Sequence, residues 1–181
     1  MISESEEARA SPRANLFTAA DVAAILCERG WLHHETCDVA GWVTQAAALL
    51  GPQAADREAL ASLLALVFVY DARALLATRE CQEVLARLGA REVIRALATE
   101  VLNGGPVDSS RLKEIVTALK ATLPYRTREI FLPLRVSLAG RAGEGELDRV
   151  ILLLDRAARI EGLAPVKAVR TRILEFCSAM D

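Results

Sequence analysis

A chain of 181 residues that is 52% hydrophobic but only 4% aromatic can close one sizeable core, and its Ala and Leu richness excludes a sandwich or barrel in favour of packed helices. No apolar run approaches the roughly 20 residues that span a bilayer, and the start, MISESEEARASPRAN, is acidic and polar rather than basic and then apolar, so a cytoplasmic protein without membrane contact is expected. The net charge of -2 hides a tilt: residues 1–110 carry 9 Lys/Arg against 15 Asp/Glu, whereas residues 111–181 carry 13 against 9, so any polyanion should meet the second half.

Residues 1–15 lack a buriable pattern and are expected to form a disordered leader. From Thr18, a natural cap, Val22, Ile25 and Leu26 fall on one helical face before Gly30. A second helix is predicted over 37–50, with Val39, Trp42, Val43, Ala46 and Leu50 inward, stopped by Gly51-Pro52. Asp56 caps a third, running to about Tyr70 with an apolar stripe wide enough for a bundle centre. Short helices fit 71–77 and 79–88, and a longer one fits 90–102.

Asn103-Gly104-Gly105-Pro106 is the clearest break in the chain. It is taken as the boundary between an N-terminal helical subdomain, 16–105, and a C-terminal one, 106–181. Asp108 or Ser109 opens a helix with Leu112, Ile115, Val116 and Leu119 inward, and helices are expected on either side of the glycine-rich loop 140–145. Pro165, a favoured first-turn residue, is expected to start a last helix that runs to about Ala179. The fold class is therefore all-α, a multi-helix bundle.

Cys27, Cys37, Cys81 and Cys177 lack CxxC spacing and are read as reduced core thiols. His33 and His34 between the first two lack the paired spacing of a zinc site, so no metal is expected. Trp31 and Trp42 are read as core residues at a helix junction.

The segment FLPLRVSLAGRAGEGELDRVILLL, residues 131–154, is similar to the closing motif of bacterial glutamyl-tRNA synthetases, approximately FxPLRxALTGxxxGPELxxxxxLLG. Phe131, Pro133, Leu134, Arg135, Val136, Leu138, Gly140, Arg141, Glu146 and Leu147 agree with it. A weaker resemblance in the order of helices extends over about 16–160, and the helix after Pro165 looks like an added tail. The chain departs from the family at Thr127-Arg128, Ala139, Glu144-Gly145 and Asp155. It also lacks the HIGH-like and KMSKS-like sequences with which such synthetases hold ATP. The resemblance implies the anticodon-binding helical cage of a class I synthetase without its catalytic half: no aminoacylation, no cofactor, and tRNA, with tRNA(Glu) the first candidate, as ligand.

The chemistry of an anticodon loop calls for cations on rigid elements, flat groups for stacking and close backbone approach. Residues 111–141 hold seven cations against two acids. Arg135 matches the family Arg that faces the anticodon and is the first candidate contact; its alternative is a structural Arg that caps carbonyls. Gly140 and Gly143, with Arg141, would let backbone amides approach phosphates, and they are equally helix-end glycines. Tyr125 is read as a stacking face or a half-buried packing residue. Arg126, Arg128 and Lys120 are read as phosphate contacts, Lys120 alternatively as a solvated helix position. The expected function is a non-catalytic tRNA-binding protein. The alternative is a synthetase-derived interaction module that has lost tRNA affinity and docks on a synthetase or another protein. No nucleophile triad, phosphate-binding loop or paired-carboxylate motif supports an enzyme.

Overall fold

The computed structural model describes residues 14–181, and residues 1–13 of the expected leader lie outside them. Asn15 does not belong to a free leader: its side-chain amide donates to the Ala47 carbonyl at 3.0 Å, pinning the chain to the end of the second helix.

Helices begin where a short polar side chain can take an otherwise orphaned amide. Thr18 starts α1 (Ala19–Glu28), where Asp21 also accepts from the Thr18 amide at 2.7 Å in a reciprocal box, and this bond holds the Asp21 carboxyl below its usual range. Thr36 caps α2 (Cys37–Leu50), Asp56 α3 (Arg57–Phe68), Asp71 α4 (Ala72–Leu76), Thr78 α5 (Arg79–Leu85) and Asp108 α7 (Ser109–Thr122). Between the last two, α6 (Ala90–Leu102) starts from Gly89 in the left-handed region, φ +79°. The bundle is completed by α8 (Thr127–Ala139), which contains Pro133, α9 (Gly145–Ala157) and α10 (Val169–Met180). Ten α-helices and no strand occur among the described residues, and no helix is long and apolar enough to cross a membrane.

The break at 103–106 is a loop inside one core, not a boundary between two. The α9 helix lies against α2 and α3, α10 lies against α4, α6 and α8, and the buried apolar side chains of both halves join one cluster. Leu147, Val150, Ile151, Leu153 and Leu154 of α9 are all sealed, and the helix packs on α2 and α3 of the first half as well as on α8. Trp42 is fully buried, and its indole N–H donates to the Leu153 carbonyl at 3.2 Å across that seam. Trp31 is half-buried and stacks on Phe68 with ring centroids 4.8 Å apart, as a helix-junction residue should.

Two further expectations need correction. Of the four thiols only Cys81 is buried, where desolvation pushes its pKa up to about 11; Cys27 and Cys37 are exposed at helix ends, beyond the apolar stripe. The last helix starts at Val169, not Pro165. Residues 162–164 instead exchange backbone hydrogen bonds with 31–34, including Ala164 N–H to the Trp31 carbonyl at 2.8 Å. The helix begins where the Asp155 carboxylate accepts from the Val169 amide at 2.7 Å. The other Asp155 oxygen takes the Val107 amide at 2.6 Å, so the residue that departs from the synthetase motif ties the 103–107 loop to the start of α10.

Helix α10 is an integral part of the core. Its Arg172 is completely buried and reaches no carboxylate. The guanidinium donates to the carbonyls of Leu66 (2.9 Å), Val67 (2.5 Å), Leu138 (2.8 Å) and Lys167 (3.0 Å), and it lies 4.5 Å from the Tyr70 ring centroid. Three of those carbonyls end α3 and α8, where partial negative charge collects. Burial lowers the Arg172 pKa to about 10, still far enough above neutrality to keep the charge. The Tyr70 hydroxyl completes the knot by donating to the Ser137 carbonyl, and burial raises its pKa.

Arg172→Ala leaves four carbonyls short of a donor, two of them fully buried. At about 1–3 kcal/mol for each unsatisfied group, the variant should lose at least about 3 kcal/mol in urea unfolding, with Arg172→Lys in between. A loss below about 1 kcal/mol for Arg172→Ala would show that the knot is dispensable.

Candidate functional site

The segment singled out from the sequence forms one corner of the molecule. Helix α8 ends at Gly140, whose φ of +81° is a left-handed cap that favours glycine, and the 140–144 turn folds α9 back alongside it. Arg135, two turns into α8, thereby meets Asp148 in the first turn of α9.

Arg135 is not open to solvent as an anticodon contact would require. Its Nε and Nη2 fork onto the two Asp148 oxygens, both at 2.8 Å, Nη1 donates to the Gly143 carbonyl at 2.9 Å, and the Phe131 ring centroid lies 4.8 Å away. The side chain is 14% exposed. A bidentate, partly buried pair of this kind exceeds an ordinary surface bridge in strength, and its geometry fixes both helices. The family-matched arginine is thus committed to holding the turn.

The turn's amides are committed in the same way. Ala142 N–H donates to the Glu80 carboxylate of α5 at 3.0 Å, and Glu144 N–H to the Glu146 carboxylate at 3.2 Å. The places a phosphate oxygen would take are filled by carboxylates of the chain itself. Gly143 contributes its carbonyl to Arg135, and an added side chain there would press on Glu146 and Leu147.

Tyr125 is half-buried: one face of its ring lies against Gly89, where no side chain could fit, and its hydroxyl donates to the Glu92 carboxylate, a bond that raises the phenol pKa. Arg111, counted among the cations, donates to the Glu100 carbonyl at 2.8 Å and pairs with Glu114 at 3.1 Å. Lys120, Arg126, Arg128 and Arg141 are exposed, and no ion pair involves them among the described residues. Lys120 stands 5.8 Å from the Phe131 centroid, on the ring that Arg135 also faces.

Between α5, α8 and the turn lies a groove of about 600 Å3. Val84, Phe131 and Leu132 form its apolar centre, and three arginines (87, 128 and 135) and three glutamates (80, 83 and 144) line the rest. The sequence motif did not reveal the α5 contribution, because Glu80 and Glu83 approach from a helix some sixty residues upstream. Asp148 was within reach of inference: an acid in the first turn of a helix that follows a tight glycine turn faces back along its predecessor. Among the described residues no three His, Cys, Asp or Glu side chains are grouped to hold a metal.

No protein-family model, curated protein or solved structure matches the chain. The functional reading therefore rests on the groove and its chemistry.

Asp148→Asn should cost about 1.5–3 kcal/mol, the worth of a charged hydrogen-bonded contact left unmatched, and Arg135→Lys a similar amount because an ammonium cannot fork. The double variant Arg135→Met/Asp148→Leu should recover most of the loss in urea unfolding. Additive single losses, with no recovery, would mean that the two side chains do not act as a pair.

Proposed function

We propose that this chain is a non-catalytic protein-docking module: a helical scaffold resembling the anticodon-binding cage of a glutamyl-tRNA synthetase, whose working face is the groove between α5 and α8. The observation that carries this reading is the occupation of Arg135 and the turn amides by Asp148, Glu80 and Glu146. A phosphate entering there would have to displace carboxylates tethered at high effective concentration, and would then face Glu83 and Glu144. A protein segment has no such difficulty. It can set its own charges of both signs against the groove's arginines and glutamates while burying an apolar side chain on Val84, Phe131 and Leu132, the mixture of arginine, aromatic and rim charge usual at protein interfaces.

A second reading, tRNA binding, is favoured by one observation. Lys120, Arg126, Arg128 and Arg141 remain exposed without ion-pair partners among the described residues, and could grip a backbone without entering the turn. It would make Arg135 a positioning residue for the turn, and the contacts would carry affinity more than anticodon identity.

A photo-crosslinking residue placed at exposed position 127, on the groove rim, separates the two in living cells. The docking reading expects a crosslinked protein product free of RNA, and purified protein that leaves tRNA unshifted at physiological salt. Crosslinked RNA would overturn it, as would tRNA affinity that falls with salt at a log-log slope of roughly -3 and vanishes in Arg128→Ala/Arg141→Ala.

A further inference from the structure

Charge along the groove has an order. Helices α5 and α8 run antiparallel there: Glu80, at the start of α5, reaches Ala142 just past the end of α8, while Gly89, just past α5, touches Tyr125 just before α8 begins. On α5 and just past its end, the residues that line the groove, Glu80, Glu83, Val84 and Arg87, run from acid through an apolar centre to base. Opposite them, Arg128 adds to the basic end and Glu144 to the acidic end. Arg135 contributes no free charge, because Asp148 neutralises it.

We propose that the occupant of this groove is a second copy of the chain, related by a two-fold axis through the Val84–Phe131 centre; the proposal rests on the docking reading above. A two-fold rotation reverses the order of charge, so each basic end meets the acidic end of the other copy, and a strip of this polarity is complementary to itself by symmetry. Leu88 supplies independent support. It is 89% exposed, the most exposed of the large apolar side chains among the described residues, and stands beside Arg87 at the basic end. The same rotation brings Leu88 toward the acidic end of the second copy, where Ala142 and Glu144 line the groove. Glu83 also pairs with Arg79 at 2.8 Å, but both side chains are largely exposed and water screens that bridge, so it does not hold Glu83 back. The groove is small, so the dimer is a weak one, in the micromolar range.

Sedimentation velocity from micromolar to near-millimolar protein tests this. The wild type should pass from monomer to dimer, and high salt should shift the transition to higher concentration. Two variants, Glu83→Arg/Glu144→Arg and Arg87→Glu/Arg128→Glu, should each dimerise at least about tenfold more weakly, and Leu88→Asn likewise. Mixed in equal amounts, the two charge variants should recover a dimer, because each then meets its complement at both ends. Circular dichroism establishes that the variants are folded. A wild type that stays monomeric throughout overturns the proposal, as does failure of the folded charge variants to pair with one another, or undiminished dimerisation of either alone. If the wild type is monomeric while position 127 still crosslinks to a different protein, the second copy is excluded as occupant and the docking reading stands.

Discussion

The structure depends on one buried cation. Arg172 has no acid for a partner; its charge is balanced by backbone carbonyls at the ends of α3 and α8, by the Lys167 carbonyl and by the face of Tyr70. Carbonyls at a helix end are the atoms that helix geometry leaves without donors, so one guanidinium removes several deficits at once. Because the Leu138 carbonyl lies next to the last residues of α8, the same contact sets where that helix stops and where Gly140 turns. The groove inherits its shape from this knot, although Arg172 takes no part in lining it.

From that turn outward, charge is settled locally and in pairs. The Arg135 fork onto Asp148 joins α8 to α9, Glu80 joins α5 to the turn, and Asp155 joins the 103–107 loop to α10. Each is a carboxylate that takes donors left over by a helix end or a bend. The proposed docking role draws on the same chemistry: turn donors already matched by the protein's own acids have little to offer a polyanion, while the groove's arginines, glutamates and apolar floor would suit another protein surface.

Much of the helical layout was legible in the sequence because it is written in local chemistry. Thr18, Asp56 and Asp108 announce helix starts, Gly30 and Gly140 announce ends, and the three- and four-residue spacing of Val39, Trp42, Val43, Ala46 and Leu50 marks a buried face. What escaped was long-range. An arginine in a terminal amphipathic helix reads as solvated, and nothing near Arg172 signals that carbonyls about a hundred residues away will surround it. Arg135 was singled out as a base or phosphate contact, but a planar five-donor group serves a carboxylate as readily, and here it forks onto Asp148. The partner, Asp148, sits on the far side of the turn. Pro165 misled because it suits a first helical turn equally well as the extended strap that 162–164 forms with 31–34. Asn103-Gly104-Gly105-Pro106 misled because composition reports a bend in the chain, not whether the core continues across it.

The corner formed by α8, the glycine turn and α9 is filled by the protein's own carboxylates. Nitrogen-15 NMR reads this at three places: the Arg135 side-chain Nε–H and the backbone amides of Ala142 and Glu144. A sharp, slowly exchanging Arg135 Nε–H signal is expected, with all three resonances unmoved when an RNA stem-loop is added at low salt. Displacement of these resonances by RNA, in step with its concentration, would contradict it.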